Sequence, residues 1–117
     1  MPYKKGLHLL LNIRSTAQAK LDRSDEWKNL VNELVKKHGL QKVGEVFHQF
    51  DGGGFTAIHG LTESHLSIHT WPEYGLCTCD IFLSNFQNDN HPIVREIGHA
   101  IVDFFVSKDY DWKEVER

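Results

Sequence analysis

Residues 63–75 read Glu-Ser-His-Leu-Ser-Ile-His-Thr-Trp-Pro-Glu-Tyr-Gly, and the rest of the chain is organised around this stretch. It contains a hydroxyl nucleophile, two imidazoles, two carboxylates and an aromatic-proline turn. Residues 64–69 are predicted to form a strand, on which His65, Ser67 and His69 share one face. Ser64 and His69 are five positions apart, so a regular strand would turn them to opposite faces. Ser64 is therefore predicted to lie in a bend before the strand.

The flanking sequence predicts further strands and two helices. One helix follows Ser24 as N-cap, carries apolar residues at helical spacing and ends at Gly39. The other follows a polar loop at residues 85–91, with Asn90 as its cap and Pro92 in its first turn. The other predicted strands span residues 7–13, 41–50, 55–61, 76–83 and, as a short last strand, 110–115.

These elements predict one α+β domain over residues 1–117. Several strands, two amphipathic helices and short connections are typical of a two-layer sandwich, in which helices cover one face of a mainly antiparallel sheet. A length of 117 residues with 40% hydrophobic content suits a single domain with a modest core.

Composition also limits the classes of partner and the compartment. The net charge is −3, so the sequence does not predict a basic surface that would bind nucleic acid or an anionic membrane. The sequence contains no apolar run of about 18 residues, so no membrane span is predicted. The N-terminus does not resemble a signal peptide. Cys77 and Cys79 are expected to point to opposite faces of a strand and to form no disulfide, which favours a reducing, cytoplasmic location.

The stretch at residues 63–75 closely resembles the motif E-S-H-(I/L)-(S/T)-I-H-T-W-P-E-Y-G of the bacterial type of S-adenosylmethionine decarboxylase, a pyruvoyl-dependent family. The ungapped likeness runs from about residue 47 to residue 82. The resemblance implies the same α+β layout, and a homodimer whose two sheets pack face to face as an αββα sandwich. It implies a small-molecule substrate, S-adenosylmethionine, and a role in spermidine biosynthesis.

The resemblance also implies that the chain is a zymogen that cleaves itself. Ser64 would attack the carbonyl carbon of Glu63, and the ester so formed would break by elimination. The products would be a chain ending at Glu63 and a chain beginning with a pyruvoyl group derived from Ser64. That group would form a Schiff base with the substrate amine and draw electrons away as carbon dioxide leaves, so no metal or external cofactor is needed.

Further roles carry over from the family one residue at a time. His69 matches the histidine that assists self-processing, and Thr56 matches a serine that helps it. Glu73 matches the carboxylate that holds the ribose hydroxyls, and Phe50 matches an aromatic residue that stacks on adenine. Ser84 stands where the family has the cysteine that returns a proton to the substrate carbon.

Two departures and several alternatives stay open. A serine hydroxyl at position 84 is a far weaker acid than a thiol. Asn12 replaces an acidic residue of the family, and loss of a carboxylate there would weaken a site for the sulfonium cation. The family also includes decarboxylases of basic amino acids, so ornithine or arginine is the alternative substrate. A non-catalytic regulatory paralogue is the alternative from another class. Taken without the family, Phe50 would be core and Glu73 a solvated charge. A zinc site at His59, His65 and His69 is a disfavoured alternative, because only two of these histidines clearly share a strand face and catalytic zinc needs three converging ligands.

Overall fold

One six-stranded sheet and three α-helices make up the fold of this computed structural model, which describes residues 2–85 and 88–117. The predicted loop at residues 85–91 includes positions 86 and 87, which lie outside the described residues. In chain order the elements are β1 (Leu7–Arg14), α1 (Gln18–Asp22), α2 (Asp25–Lys37), β2 (Lys42–Gln49), β3 (Phe55–Leu61), β4 (Ser64–Trp71), a 3₁₀ turn (Pro72–Tyr74), β5 (Leu76–Leu83), α3 (His91–Phe104) and β6 (Asp109–Glu116).

The strands lie side by side in the order β2-β3-β4-β5-β1-β6. Every neighbouring pair is antiparallel, so β1 lies between β5 and β6 with full pairing on both sides. This arrangement confirms the predicted α+β class and the mainly antiparallel sheet. The first strand of the chain, β1, is thus inserted between β5 and β6, which both come from the second half of the chain.

The sheet has a core face and an open face, because alternate residues of each strand point to opposite sides. Leu9, Phe55, Ile68 and Ile81 lie on the core face and are fully buried. The helices add a second set of buried side chains to the same core: Leu21, Trp27, Val31, Leu34, Val94, Ile97 and Ile101. The opposite, open face carries His65, Ser67 and His69 of the motif, whereas Thr70 is buried on the core face.

Three local predictions differ from the structure. Helix α1 was not predicted, because five residues with one buried side chain, Leu21, give no periodic signal; the hydrogen bond from Lys20 Nζ to the Phe104 carbonyl (2.8 Å) helps to hold it. The side chains of the two predicted caps, Ser24 and Asn90, make no capping hydrogen bond, although α2 and α3 begin directly after them. The expectation for the cysteines was wrong: Cys77 and Cys79 are two positions apart, so both are buried on the core face, and both are free.

His59 belongs to a buried hydrogen-bond network, which overturns the zinc alternative. Its side chain lies on the core face with no exposure, whereas His65 and His69 lie on the open face. The Trp27 Nε1–H donates to His59 Nε2 (2.9 Å), so the proton of the neutral ring is on Nδ1, which donates to Glu45 Oε2 (2.9 Å). Burial lowers the pKa of His59, although the Glu45 carboxylate opposes that shift.

We expect this network to lower the free energy of unfolding at mildly acidic pH. The unfolded chain takes up a proton at His59 more readily than the folded chain, so its contribution is complete above about pH 6.5 and is lost as the pH falls through the lower folded-state pKa. The slope for one group is at most about 1.4 kcal/mol per pH unit. Urea denaturation of an uncut Ser64→Ala chain between pH 7.5 and 5 measures it.

The control for this prediction is His59→Gln in the same uncut chain. Glutamine can accept from Trp27 and donate to Glu45 but does not titrate, so the pH dependence should become shallower. Burial also lowers the pKa of His38, and that contribution is present in both chains. If the free energy of unfolding has the same pH dependence in the two chains, His59 does not contribute to it.

Among the described residues, none of the helices combines the length and the apolar character needed to cross a membrane.

Candidate active site

The predicted cleavage point lies at the tip of the β3–β4 hairpin. Leu61 pairs with Ser64, so Thr62 and Glu63 form a two-residue turn and Ser64 is the first residue of β4. Ser64 has φ 154°, a conformation that residues other than glycine rarely adopt and that costs on the order of 1–3 kcal/mol. Ser64 is thus part of β4 and not of a bend before it, and its unusual backbone conformation lies next to the bond expected to break.

Ser84 meets this hairpin through its main chain. Its N–H donates to the Glu63 carbonyl oxygen (2.9 Å), at the end of the ladder between β4 and β5. The Asn90 side chain donates to the Ser84 carbonyl (2.7 Å) and fixes this segment after β5. The structure therefore brings together Glu63, Ser64 and Ser84, which the sequence placed about 20 positions apart.

Beside Ser64, three strands contribute to a cluster of histidine and aspartate side chains on the open face. Ser64 Oγ lies 3.5 Å from His65 Nδ1, and His65 Nε2 lies 2.8 Å from Asp80 Oδ2. His8 Nε2 lies 2.8 Å from the same oxygen, and Ser67 Oγ donates to Asp80 Oδ1. Sequence reasoning did not find His8 and Asp80 as site residues, since only the strand register brings them together.

The charge in this cluster is that of Asp80. Burial on its own would raise the pKa of Asp80, but the hydrogen bonds from Ser67, His8 and His65 outweigh it, so the pKa lies below its usual value. Asp80 is therefore a carboxylate near neutral pH, and each ring donates to it through Nε2. That leaves Nδ1 of each ring as an acceptor, facing Arg117 Nη1 (3.3 Å) on His8 and Ser64 Oγ on His65.

His69 and Thr56 form a second group on the same face. Thr56 Oγ1 lies 3.0 Å from His69 Nδ1, so the two residues predicted to assist processing are in contact. The strand register continues this row through Thr78 to Asn12. A shallow depression runs beside it, lined by Leu10, Leu11, Asn12, His69, Thr78, Cys79 and Asp80.

The two predicted substrate-binding residues lie at the other end of the sheet from Ser64. Phe50 follows β2 with 48% of its side chain exposed, and Glu73 is exposed in the 3₁₀ turn after β4. Gly54, between Phe50 and β3, lies against Pro72, so the two turns are adjacent. Gly75, with φ 57°, ends the 3₁₀ turn in the left-handed conformation that glycine adopts without strain.

Within one chain, the candidate residues thus form two separate groups. Ser64 and His69 are five residues apart on one strand, which corresponds to roughly 16 Å at about 3.3 Å per residue. Direct proton transfer takes place with heavy atoms about 2.6–3.2 Å apart, or through one bridging water, and a resting structure often shows a slightly longer separation. His69 of one chain is therefore out of reach of Ser64 of the same chain.

Neither cysteine can replace the missing thiol at position 84. Cys77 and Cys79 are buried on the core face, whereas the candidate residues lie on the open face and at its edge. Burial raises the pKa of the Cys77 thiol to about 12 and that of Cys79 well above its usual value. A thiol with such a pKa is a poor proton donor near neutral pH.

Comparison with known proteins identifies the family of this chain. A family model described as S-adenosylmethionine decarboxylase matches residues 7–117. The chain therefore belongs to the S-adenosylmethionine decarboxylase family, which confirms the resemblance inferred from residues 63–75.

Individual relatives agree with this assignment. The chain is 42% identical over 77 residues to the S-adenosylmethionine decarboxylase proenzyme of Archaeoglobus fulgidus, covering 66% of this chain and 69% of that protein. It is 40% identical to the proenzyme of Aquifex aeolicus, where the match spans 66% of this chain but only 57% of the relative. The crystal structure of the adenosylmethionine decarboxylase from Aquifex aeolicus VF5 superposes with a TM-score of 0.85 and 30% identity, covering 99% of this chain and 92% of that one.

Proposed function

We propose that this chain is a proenzyme that cuts itself between Glu63 and Ser64 and then decarboxylates S-adenosylmethionine, feeding spermidine biosynthesis. The observation that carries the proposal is the hairpin tip. A strained serine follows a carbonyl whose oxygen already accepts the Ser84 N–H. A hydrogen-bond donor aimed at this oxygen stabilises the negative charge that develops when the carbonyl carbon is attacked.

The proposed cleavage uses only groups of the chain and one water. Ser64 Oγ forms a bond to the Glu63 carbonyl carbon, its proton leaves, and the Ser64 nitrogen departs as an amine, which gives an ester. Loss of the Ser64 Cα proton then expels the Glu63 carboxylate. The unsaturated residue left at position 64 rearranges to an imine, and water replaces its nitrogen to give pyruvoyl and ammonia. Relief of the strained φ angle at Ser64 favours the first step.

Once formed, the pyruvoyl group would supply the electron-withdrawing carbonyl that decarboxylation requires. The chain's own residues would bind and orient the substrate. The exposed Glu73 carboxylate can accept hydrogen bonds from two neighbouring ribose hydroxyls, and the half-exposed Phe50 ring offers a flat face to adenine. Ser84, next to the cleavage point, would pass a proton to the substrate carbon.

The proposal includes a homodimer formed through the open faces of two sheets. Leu10, Val46, Ile58 and Trp71 expose between 38% and 63% of their side chains on this face, and a second copy would cover them. A two-fold axis makes such contacts reciprocal, so the Ser64 end of one chain can meet the His69 and Thr56 end of its partner. That pairing closes the gap between the two groups of candidate residues, and we assign His69 to removal of the Cα proton of the partner's Ser64 in the elimination step.

We place the protein in the cytoplasm, and its two free, buried cysteines are compatible with a reducing compartment.

Intact mass measurement tests the proposal most directly. The purified protein should give two pieces, residues 1–63 and 64–117, with the second blocked by pyruvoyl at its N-terminus. The cut protein should release carbon dioxide from S-adenosylmethionine and much less from ornithine or arginine. A chain that stays at full length after long incubation would contradict the proposal, and a basic amino acid as the best substrate would change the assigned reaction.

Ser84→Cys tests the role of position 84. A thiol is closer in pKa to working pH than a hydroxyl, and a well-matched general acid contributes about 10²–10⁴-fold. We therefore expect the variant to decarboxylate S-adenosylmethionine faster, or to complete more turnovers before misplaced protonation converts its N-terminal group to alanine. Ser84→Ala is the matched control that keeps the main-chain N–H. Equal rates and equal turnovers in all three proteins would remove the Ser84 side chain from the mechanism.

A further inference from the structure

The proposed cleavage names no base for the Ser64 hydroxyl, and the cluster around Asp80 lies beside that hydroxyl. Cleavage begins only when the Ser64 hydroxyl loses its proton, and a serine hydroxyl is a weak nucleophile until a neighbouring base takes that proton. His69 of the same chain is roughly 16 Å along the strand, as given by five residues at about 3.3 Å. His65 Nδ1, by contrast, lies 3.5 Å from Ser64 Oγ.

We propose that His65, held by Asp80, is the general base that takes the proton from Ser64 Oγ in the first step of self-cleavage. This inference rests on the proposed function and adds a catalytic residue to it. The proton passes from Oγ to Nδ1 as Oγ forms its bond to the Glu63 carbonyl carbon, and the ring then returns it to the departing Ser64 nitrogen. Protons and electrons balance without a further reactant.

The hydrogen bonds of the cluster select the tautomer that this step needs. Asp80 is a carboxylate that only accepts, so His65 must direct its Nε2–H to Oδ2 (2.8 Å). Nδ1 then carries a free lone pair on the side of Ser64. When the ring takes up the proton, the adjacent Asp80 charge stabilises the imidazolium, as in a serine-histidine-aspartate triad with the two ring nitrogens exchanged.

Asp80 is itself fixed by its neighbours. His8 donates to Oδ2 from β1, and Ser67 donates to Oδ1 from β4. Arg117 faces the far side of the His8 ring, with its Nη1 3.3 Å from Nδ1. Asp80 is therefore a positioning residue, whose orientation is set by groups from three parts of the chain.

The same three residues do not have the spacing of a metal site. Ligand atoms of His8, His65 and Asp80 lie within 4.8 Å of one another. However, both Nε2 atoms lie 2.8 Å from one oxygen, which is a hydrogen-bond distance. Ligand atoms at 2.0–2.1 Å around a tetrahedral zinc ion are about 3.3 Å apart. The observed distances therefore favour proton transfer over metal binding.

The experiment compares the cleavage of wild type, His65→Ala and Asp80→Asn after rapid purification. We expect His65→Ala to be cut about 10²–10⁴-fold more slowly than wild type, the usual contribution of a general base. Added imidazole should restore part of the rate in His65→Ala, because it replaces the missing base. Asp80→Asn should be slower than wild type and should not respond to imidazole, since its base is present but poorly held.

Hydroxylamine identifies the blocked step, because it splits esters and leaves peptide bonds intact. A wild-type sample treated early should yield some second chain that begins with free Ser64, which marks the ester. His65→Ala should stay at full length under hydroxylamine, since its ester does not form. His99→Ala, which removes an exposed histidine stacked on Trp112, is the matched control and should cut normally.

The outcomes separate this inference from the proposed function. Cleavage of His65→Ala at the wild-type rate, or its splitting by hydroxylamine, would overturn the role of His65 and leave the proposed function intact. An uncut wild-type chain would overturn both. Circular dichroism shows whether His65→Ala is folded, and His65→Gln, which keeps a polar side chain without a base, is the second variant if alanine does not fold.

Discussion

Ser64→Ala will remain a single chain of 117 residues with no decarboxylase activity. The variant lacks the hydroxyl that attacks the Glu63 carbonyl, and without the cut no pyruvoyl group can form. The loss should be complete rather than partial, because the oxygen removed is both the nucleophile and the atom that departs with the Glu63 carboxylate in the elimination. Denaturing electrophoresis and intact mass after several days at the working temperature measure the expected result.

Two companion variants make this result specific. Ser24→Ala removes a serine whose side chain makes no capping hydrogen bond, so it should be cut and active like wild type. Ser64→Cys keeps a nucleophile at the same position and should be cut, at a reduced rate. Two pieces from Ser64→Ala would show that another residue supplies the nucleophile and would end the assignment of Ser64.

A mixture of two inactive chains should regain cleavage if the site is shared between protomers. We expect Ser64→Ala and His69→Ala chains, each uncut when expressed alone, to form mixed dimers on co-expression. In those dimers the His69→Ala chain supplies Ser64, and its partner supplies His69. With random association, about half of the His69→Ala chains are in mixed dimers and should be cut. The Ser64→Ala chains should remain whole.

Tags of different mass on the two chains show which of them is cut. The control replaces the first chain with one that carries both Ser64→Ala and His69→Ala, which can pair equally well but supplies no histidine. Cleavage in the control mixture would mean that His69 is not needed. No cleavage in either mixture, with wild type cutting normally, would contradict the shared site and require His69 to act within its own chain.

Much of the sheet was predictable because its strands carry clear signals. The bounds of β3 and β5 agree with the prediction, and β1 differs by one residue. The burial of His59 was also readable, since it shares strand parity with Phe55, Ala57 and Leu61, all of which are buried. The same alternation already counted against a zinc site at His59, His65 and His69, because only His65 and His69 share a strand face.

The candidate site was only half predictable for a physical reason. The motif names Ser64 and His69, but the partners of Ser64 depend on register between strands far apart in sequence. His8 and Asp80 are separated by 72 positions and meet because β1 pairs with β5. The roles of Phe50, Thr56, Glu73 and Ser84 stay predictions, which the experiments above address at Ser84 directly.

Because of the strand order, the proposed cut would leave two polypeptides whose strands are interlaced in one sheet. The piece ending at Glu63 would contain β1, β2 and β3, and the piece starting at position 64 would contain β4, β5 and β6. Three of the five strand pairs, β3–β4, β1–β5 and β1–β6, then join different molecules. Before the cut, each protomer can refold from one chain. After the cut, two chains must associate to form each protomer, so the recovery of even a single protomer from denaturant will depend on protein concentration. The zymogen would thus assemble a structure that its own products reassemble only by a bimolecular encounter.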